Sequence, residues 1–181
     1  MLFSFDMAKG WTSGGSNMSE YEMGIDKGAG QDGKNAATIK SIKKDIKDFG
    51  TMMQNCLPDK FIGKRIRMTG YMKSKDVTSW ASFWLRVDGK KKQQFLSFDN
   101  MHDGKKDRSI KGTTDWAKYE IVLDVPRKAS NLAFGALLDG TGQIWFSKLS
   151  FEIVDNTVPL TWEPKGNYKP NSEPINLEFE N

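Results

Sequence analysis

Apolar and polar residues alternate with a period of two through most of the chain. The alternation runs through residues 64–73 (KRIRMTGYMK), 80–88 (WASFWLRVD), 94–99 (QFLSFD), 119–125 (YEIVLDV), 131–138 (NLAFGALL) and 143–153 (QIWFSKLSFEI). Successive side chains of a strand point to opposite faces, so these runs predict half-buried strands. Gly, Asn, Asp and Lys separate them, and DGTG at 139–142 predicts a tight hairpin turn. Only 40–49 (KSIKKDIKDF) has helical spacing, through Ile42, Ile46 and Phe49. That stretch is short enough to be a strand, a turn or a single helical turn instead. Strands recurring roughly every ten residues without intervening helices predict an all-β, antiparallel β-sandwich rather than a parallel α/β sheet.

The pattern changes past Asp155. Pro159, Pro164, Pro170 and Pro174 interrupt any continuous pairing, so the sequence divides into a sandwich over 1–155 and a Pro-rich extended tail over 156–181. The closing residues INLEFEN return to alternation. They fit an extra edge strand of this domain or the first strand of a following one.

Composition narrows the chemistry. The chain has 181 residues, 38% hydrophobic and 28% charged, enough for one packed core without disulfide or metal. One cysteine, Cys56, and one histidine, His102, are too few for a zinc or iron–sulfur site, and no other cofactor is indicated. No run reaches the ~18 apolar residues of a membrane span. Asp6 falls where a secretory signal would be apolar, and the start is not basic, which reads as a cytoplasmic chain. The net charge of +4 comes from scattered residues, 22 Lys against 5 Arg. That suits a solvated surface better than a nucleic-acid reader, which favours Arg forks.

The strand at 80–88 is the most informative. Ala81, Phe83, Leu85 and Val87 fall on one face as core; Trp80, Ser82, Trp84, Arg86 and Asp88 fall on the other. Two indoles followed by a guanidinium and a carboxylate make the composition of a binding face: flat rings stack on the C–H faces of sugars, and Arg86 and Asp88 meet hydroxyls. The competing reading makes either tryptophan a core residue and pairs Arg86 with an acid. Ile66, Met68, Gly70 and Met72 form the inner side of the 64–73 strand, leaving Tyr71 outside. In 94–99, Leu96 and Phe98 are expected inside, with Phe95, Ser97 and Asp99 outside. Tyr71 and Asp99 thus become candidate neighbours of Trp84, and the Gln54 amide can bond a hydroxyl both ways.

Catalytic readings are weaker. A hydrolytic triad would need His102 as its base, and NMHDGKKD reads as a solvated loop. WTSGGSN and DGTGQ lack the strand-to-helix setting and Lys-Ser/Thr ending of a phosphate loop. The lysine runs at 90–92 and 105–106 fit hairpin tips kept soluble.

Several features in order resemble the galactose-binding-like jelly-roll domains used by many carbohydrate-binding modules. They are Gly10-Trp11 after an opening strand, the Gly33–Ala37 segment GKNAA, Gln54 before a loop, GKRIR from Gly63, Trp116-x-x-Tyr119 and GQIWF from Gly142. FDNM with RSIKGTTDWAKYEIVLDVP (Arg108–Pro126) is similar to uncharacterised bacterial domains attached to AraC-type transcriptional regulators and to some peptidases or esterases. The resemblance spans roughly residues 3–155. It implies a non-catalytic sensory or accessory module that holds a saccharide or other small polar ligand, with any DNA-binding element in an adjacent domain. Docking of a protein partner on the Trp-rich face is the alternative. Relatives often hold a structural calcium through an acidic pair where this chain has Ser147 and Lys148. Asp6 alone is a poor start for an ion that takes six to eight oxygens, so calcium carries over weakly.

Overall fold

A computed structural model of the chain describes residues 4–102 and 106–163. Nine strands follow in order: β1 (Thr12–Gly14), β2 (Tyr21–Asp26), β3 (Ala36–Ser41), β4 (Phe49–Cys56), β5 (Arg65–Gly89), β6 (Phe95–Asp99), β7 (Ile110–Asp124), β8 (Ala129–Asp139) and β9 (Gln143–Val154). All pair antiparallel. The fold is the all-β antiparallel sandwich that the alternation predicts, with the jelly-roll form that the resemblance implies.

Two of the expected strands, 64–73 and 80–88, are halves of one, the 25-residue β5. Its first half pairs with β7 and β9, its second with β8 and β6. The order β1-β4-β8-β5-β6 makes one sheet and β7-β5-β9-β3-β2 the other. The strand crosses between them around Asp76, where φ is 54° and the register with β7 shifts on both sides.

Because β5 serves both layers, its inner residues meet across the sandwich. Ile66, Met68, Met72, Ala81, Phe83, Leu85 and Val87 are all buried in the main core, as their parity requires. Phe83 packs edge-on to Phe146 of β9 at 6.0 Å between ring centroids. Gly70 makes this possible, since a Cβ there would lie 2.7 Å from the Phe83 ring tip. The DGTG turn links β8 to β9, but β8 pairs with β4 and β5 while β9 pairs with β3 and β5, so it carries the chain from one sheet to the other and is not the expected hairpin turn. The helix-spaced stretch forms no helix. Ile42 is half exposed, Ile46 is buried, and Phe49 opens β4, so the three share no face.

Residues 156–163 lie against the sandwich. Arg65 donates through Nη1 to the carbonyls of Asn156 and Val158, and Thr161 exchanges hydrogen bonds with both backbone groups of Val122. Trp162 packs on the main core. Pro164, Pro170, Pro174 and the INLEFEN segment lie outside the described residues.

Tyr21 ties three elements together. Its hydroxyl lies 2.7 Å from the Asp48 carbonyl and 2.8 Å from that of Gly140, with one proton to share between them. Burial, with the charges of Asp139, Glu20 and Asp48, pushes the phenol well above its ordinary value near 10. The protonated phenol therefore contributes its full stabilisation below about pH 10 and loses it as pH climbs toward the folded-state value. Urea midpoints are expected to fall above about pH 10, and Tyr21→Phe, at a cost of about 1 kcal/mol at neutral pH, should flatten that alkaline decline.

Candidate functional site

Strand pairing fixes which side chains share the outer face of the β1-β4-β8-β5-β6 sheet. Along β5 these are Trp80, Ser82, Trp84, Arg86 and Asp88. Opposite them on β8 stand Asp139, Leu137, Gly135, Ala133 and Asn131. Beyond β8, β4 contributes Phe49, Thr51, Met53 and Asn55, and on the other side β6 places Phe98 beside Arg86.

The two indoles have different fates. Trp84 is directly opposite Gly135, and Gly135 is opposite Met53, so the missing side chain leaves room for the ring on β8. Its Nε1 donates 2.9 Å to Thr51 Oγ1 on β4, and only 6% of the residue is exposed. With Ala133 and Leu137 it makes a small buried cluster on this face. Phe49, Met53, Trp80 and Phe98 pack around that cluster while remaining partly exposed. Trp84 is thus the buried floor of an apolar strip rimmed by partly exposed side chains, termed the trough below, which corrects its expected role as an open stacking platform. Trp80 is part of the rim.

Arg86 and Asp88 form the polar end of the trough. The guanidinium donates through Nε and Nη2 to the two Asp88 oxygens at 2.7 and 3.2 Å. Asn131 Nδ2 reaches Asp88 Oδ2 at 2.9 Å and Asn55 Oδ1 at 3.1 Å. The planar Arg86 group lies 4.8 Å over the Phe95 ring. These groups open into a groove of about 400 Å³ bounded by the β5–β6 hairpin loop, with Ser130 and Asn131 on its far wall. An apolar trough ending in a fixed array of donors and acceptors can hold a ligand with flat apolar faces and hydroxyl edges.

The remaining candidates lie elsewhere. Asp99 is opposite Leu85, so the expected phase of β6 is inverted: Phe98 faces the trough and Asp99 points inward. Asp99 is fully buried, accepting from Arg108 Nη2 and from the Met101 amide at 2.7 Å, while Ser97 donates to the Asp124 carbonyl. Those partners let polar groups occupy inner positions that hydrophobicity alone assigned to Leu96 and Phe98. Gln54 has the parity of the buried Met52, and its amide lies beside Gly10 on the opposite side of β4 from the trough. Tyr71 is on the outer face of the other sheet, where the Lys148 ammonium lies 5.7 Å from its ring centre. The structure brings Trp80, Trp84, Arg86 and Asp88 together and leaves Asp99, Gln54 and Tyr71 apart from them.

Sequence reasoning missed Phe49, Met53, Phe98, Asn55 and Asn131. The small residues Ala133 and Gly135 amid larger neighbours were the available signal, since a strand face of that kind makes room for a large ring across from it. It also missed His102 as a neighbour of the site. The imidazole stacks on Trp80, ring centres 4.2 Å apart and planes 13° from parallel. Its Nδ1 is 3.3 Å from Ser109 Oγ and 3.5 Å from Asp107 Oδ1, while Ser109 itself donates to Asp107 at 2.6 Å. Serine and carboxylate address the same ring nitrogen and each other, so the three do not form the serine–histidine–acid relay of a hydrolase. The Ser109 hydrogen bonds, with Lys111 nearby, hold Asp107 well below the usual carboxylate range.

No family model matches the chain. An uncharacterized HTH-type transcriptional regulator of Bacillus subtilis (strain 168), YbfP, is 43% identical over 174 residues, which are 95% of this chain and 57% of that protein. The chain therefore spans little more than half the length of this relative. Among solved structures, the CBM22-1 xylan-binding domain of Paenibacillus barcinonensis Xyn10C superposes with a TM-score of 0.54 at 12% identity, over 82% of this chain and 88% of that one. The CBM22-1–GH10 modules of Clostridium thermocellum Xyn10B, complexed with xylohexaose, give 0.58 at 12% identity over 83% and 27%. The enzymatically active domain of the bacteriophage CBA120 tailspike protein 4 gives 0.58 at 11% identity over 81% and 20%. The chain has the jelly-roll fold of carbohydrate-binding modules, and its sequence is similar to a stretch of a larger HTH-type transcriptional regulator.

Proposed function

We propose that the chain is a non-catalytic module that binds a saccharide, or a metabolite of similar shape, as the sensory or accessory part of a bacterial transcriptional regulator. The observation that carries this reading is the trough itself: Phe49, Met53, Trp80 and Phe98 around a Trp84 floor, ending in the Arg86–Asp88–Asn131–Asn55 network. The similarity to a regulator and the fold of saccharide-binding modules support it. In this reading the strands of the sandwich end near residue 155, residues 156–163 dock on it, and the Pro-rich sequence that follows links it to the remainder of a cytoplasmic regulator, of AraC type, whose DNA-binding element lies outside this chain. No helix among the described residues is long and apolar enough to cross a membrane. A second reading, in which the face docks another protein domain, draws on the apolar rim of Phe49, Met53 and Phe98. The fixed polar array at one end favours the small ligand.

The test is a thermal-shift screen of oligosaccharides with the wild type, Trp80→Ala and Tyr71→Ala. A ligand at about 100 times its Kd stabilises the folded state by about 2.7 kcal/mol, a plain rise in Tm. Trp80→Ala is expected to weaken binding by about 2 kcal/mol, roughly thirtyfold, whereas Tyr71→Ala on the opposite sheet keeps the full shift. A screen in which no saccharide moves the wild-type Tm removes the proposal.

A further inference from the structure

Resting on that reading, we infer that the ligand is an anionic saccharide, one whose carboxylate or phosphate is held at the polar end of the trough by the hairpin between β5 and β6. The groove there is lined by Arg86, Lys90, Lys91 and Lys92 against a single carboxylate, Asp88. That carboxylate is already occupied, since it accepts from Arg86 Nε and Nη2 and from Asn131 Nδ2. The Asp88 charge is thus matched by Arg86, and the three lysines line the groove without an acidic partner on its walls. Arg86 Nη1 makes no hydrogen bond to a described residue, which leaves one directional donor beside the lysines.

A neutral sugar can accept hydrogen bonds from the lysines but gains no net charge attraction, while an acidic one is attracted by each of them. Because the lysines are exposed, the attraction is screened within about 8 Å at physiological ionic strength, so it must depend on salt. The half-exposed Phe95 ring under Arg86 gives the same groove an apolar wall for the sugar ring that carries the charge. The lysine run that the sequence assigns only to solubility thereby gains a position at the mouth of a site.

Titration calorimetry on the intact chain separates the possibilities. The ligands are trigalacturonate, neutral β-1,4-galactotriose, glucose 6-phosphate and inorganic phosphate. The inference expects an acidic sugar to bind at least about tenfold tighter than the neutral trisaccharide at low salt, with the preference erased at high salt and in the triple variant K90Q/K91Q/K92Q. Preference for trigalacturonate or for glucose 6-phosphate identifies carboxylate or phosphate as the source of the charge. Equal binding of neutral and acidic sugars, or a preference that survives the triple variant, overturns the inference and leaves the saccharide reading standing. Phosphate binding as tightly as any sugar, indifferent to Trp80→Ala, shows a nonspecific anion patch and overturns it too. Failure of every sugar overturns both.

Discussion

Trp84→Ala should lower the unfolding free energy by about 3–5 kcal/mol, read from urea denaturation, the range for emptying a buried aromatic site. The indole is 6% exposed, lies against Ala133 and Leu137, and satisfies its N–H on Thr51. Truncation leaves a void over Gly135 that the residues beneath it cannot fill, because Gly135 has no side chain and Ala133 has one carbon. Thr51 also loses the N–H that it accepts, although its own hydroxyl still reaches the Ala136 carbonyl. Trp84→Phe should recover most of the loss but not the hydrogen bond. A Trp84→Ala protein of near wild-type stability that no longer binds sugar would show that the ring is a ligand platform instead of a floor.

Asp99→Ala is expected to cost a similar amount, about 3–5 kcal/mol, for an electrostatic reason. Asp99 is the fully buried partner, and its removal leaves Arg108, whose side chain is 26% exposed, without its carboxylate. Asp99 has no exposed surface, and its two oxygens are used by Arg108 and by the Met101 amide. Without it, the guanidinium keeps, among the described residues, only its bond to the Glu120 carbonyl, and the turn after β6 loses the acceptor that holds Met101 at φ 63°. Asp99→Ala/Arg108→Ala should therefore be less destabilised than the sum of the single variants, since the double change removes the stranded charge. Additive losses would mean that the two side chains act independently.

These two residues also mark how far the amino-acid sequence reaches. The period-two pattern was enough for fold class, for most strands and for the inner face of β5, because hydrophobic burial there is uncompensated by polar pairing. It failed where a polar residue is buried with a partner distant in sequence. Nothing in FLSFD announces that Asp99 will meet Arg108, so the apolar Phe98 was taken for the inner position. The same limit applies to Trp84: alternation placed it on the correct face, but only the partner strands decide that Gly135 and Thr51 lie where they can cover it. Tyr71 was legible as an outward residue, Gln54 was not legible as an inward-facing one, and neither was legible as lying outside the site. Placing them requires knowing which sheet and which side of it each strand joins. The bend of β5 around Asp76, which sends Tyr71 to one sheet and Trp84 to the other, falls in the mostly polar stretch 74–79 between the two expected strands, and nothing there says that one continuous strand passes from sheet to sheet.

The measurement that bears most directly on the whole account is an amide and indole NMR titration with trigalacturonate. The account predicts shifts confined to the trough and its polar end: the Trp80 indole, the Arg86 and Asn131 side chains, and the amides of Lys90 to Phe95. Perturbation centred instead on the outer face of the opposite sheet, at Tyr71 and at Trp116 of β7 and Trp145 of β9, whose rings flank the Lys73 ammonium at 5.5 and 4.6 Å, would contradict it.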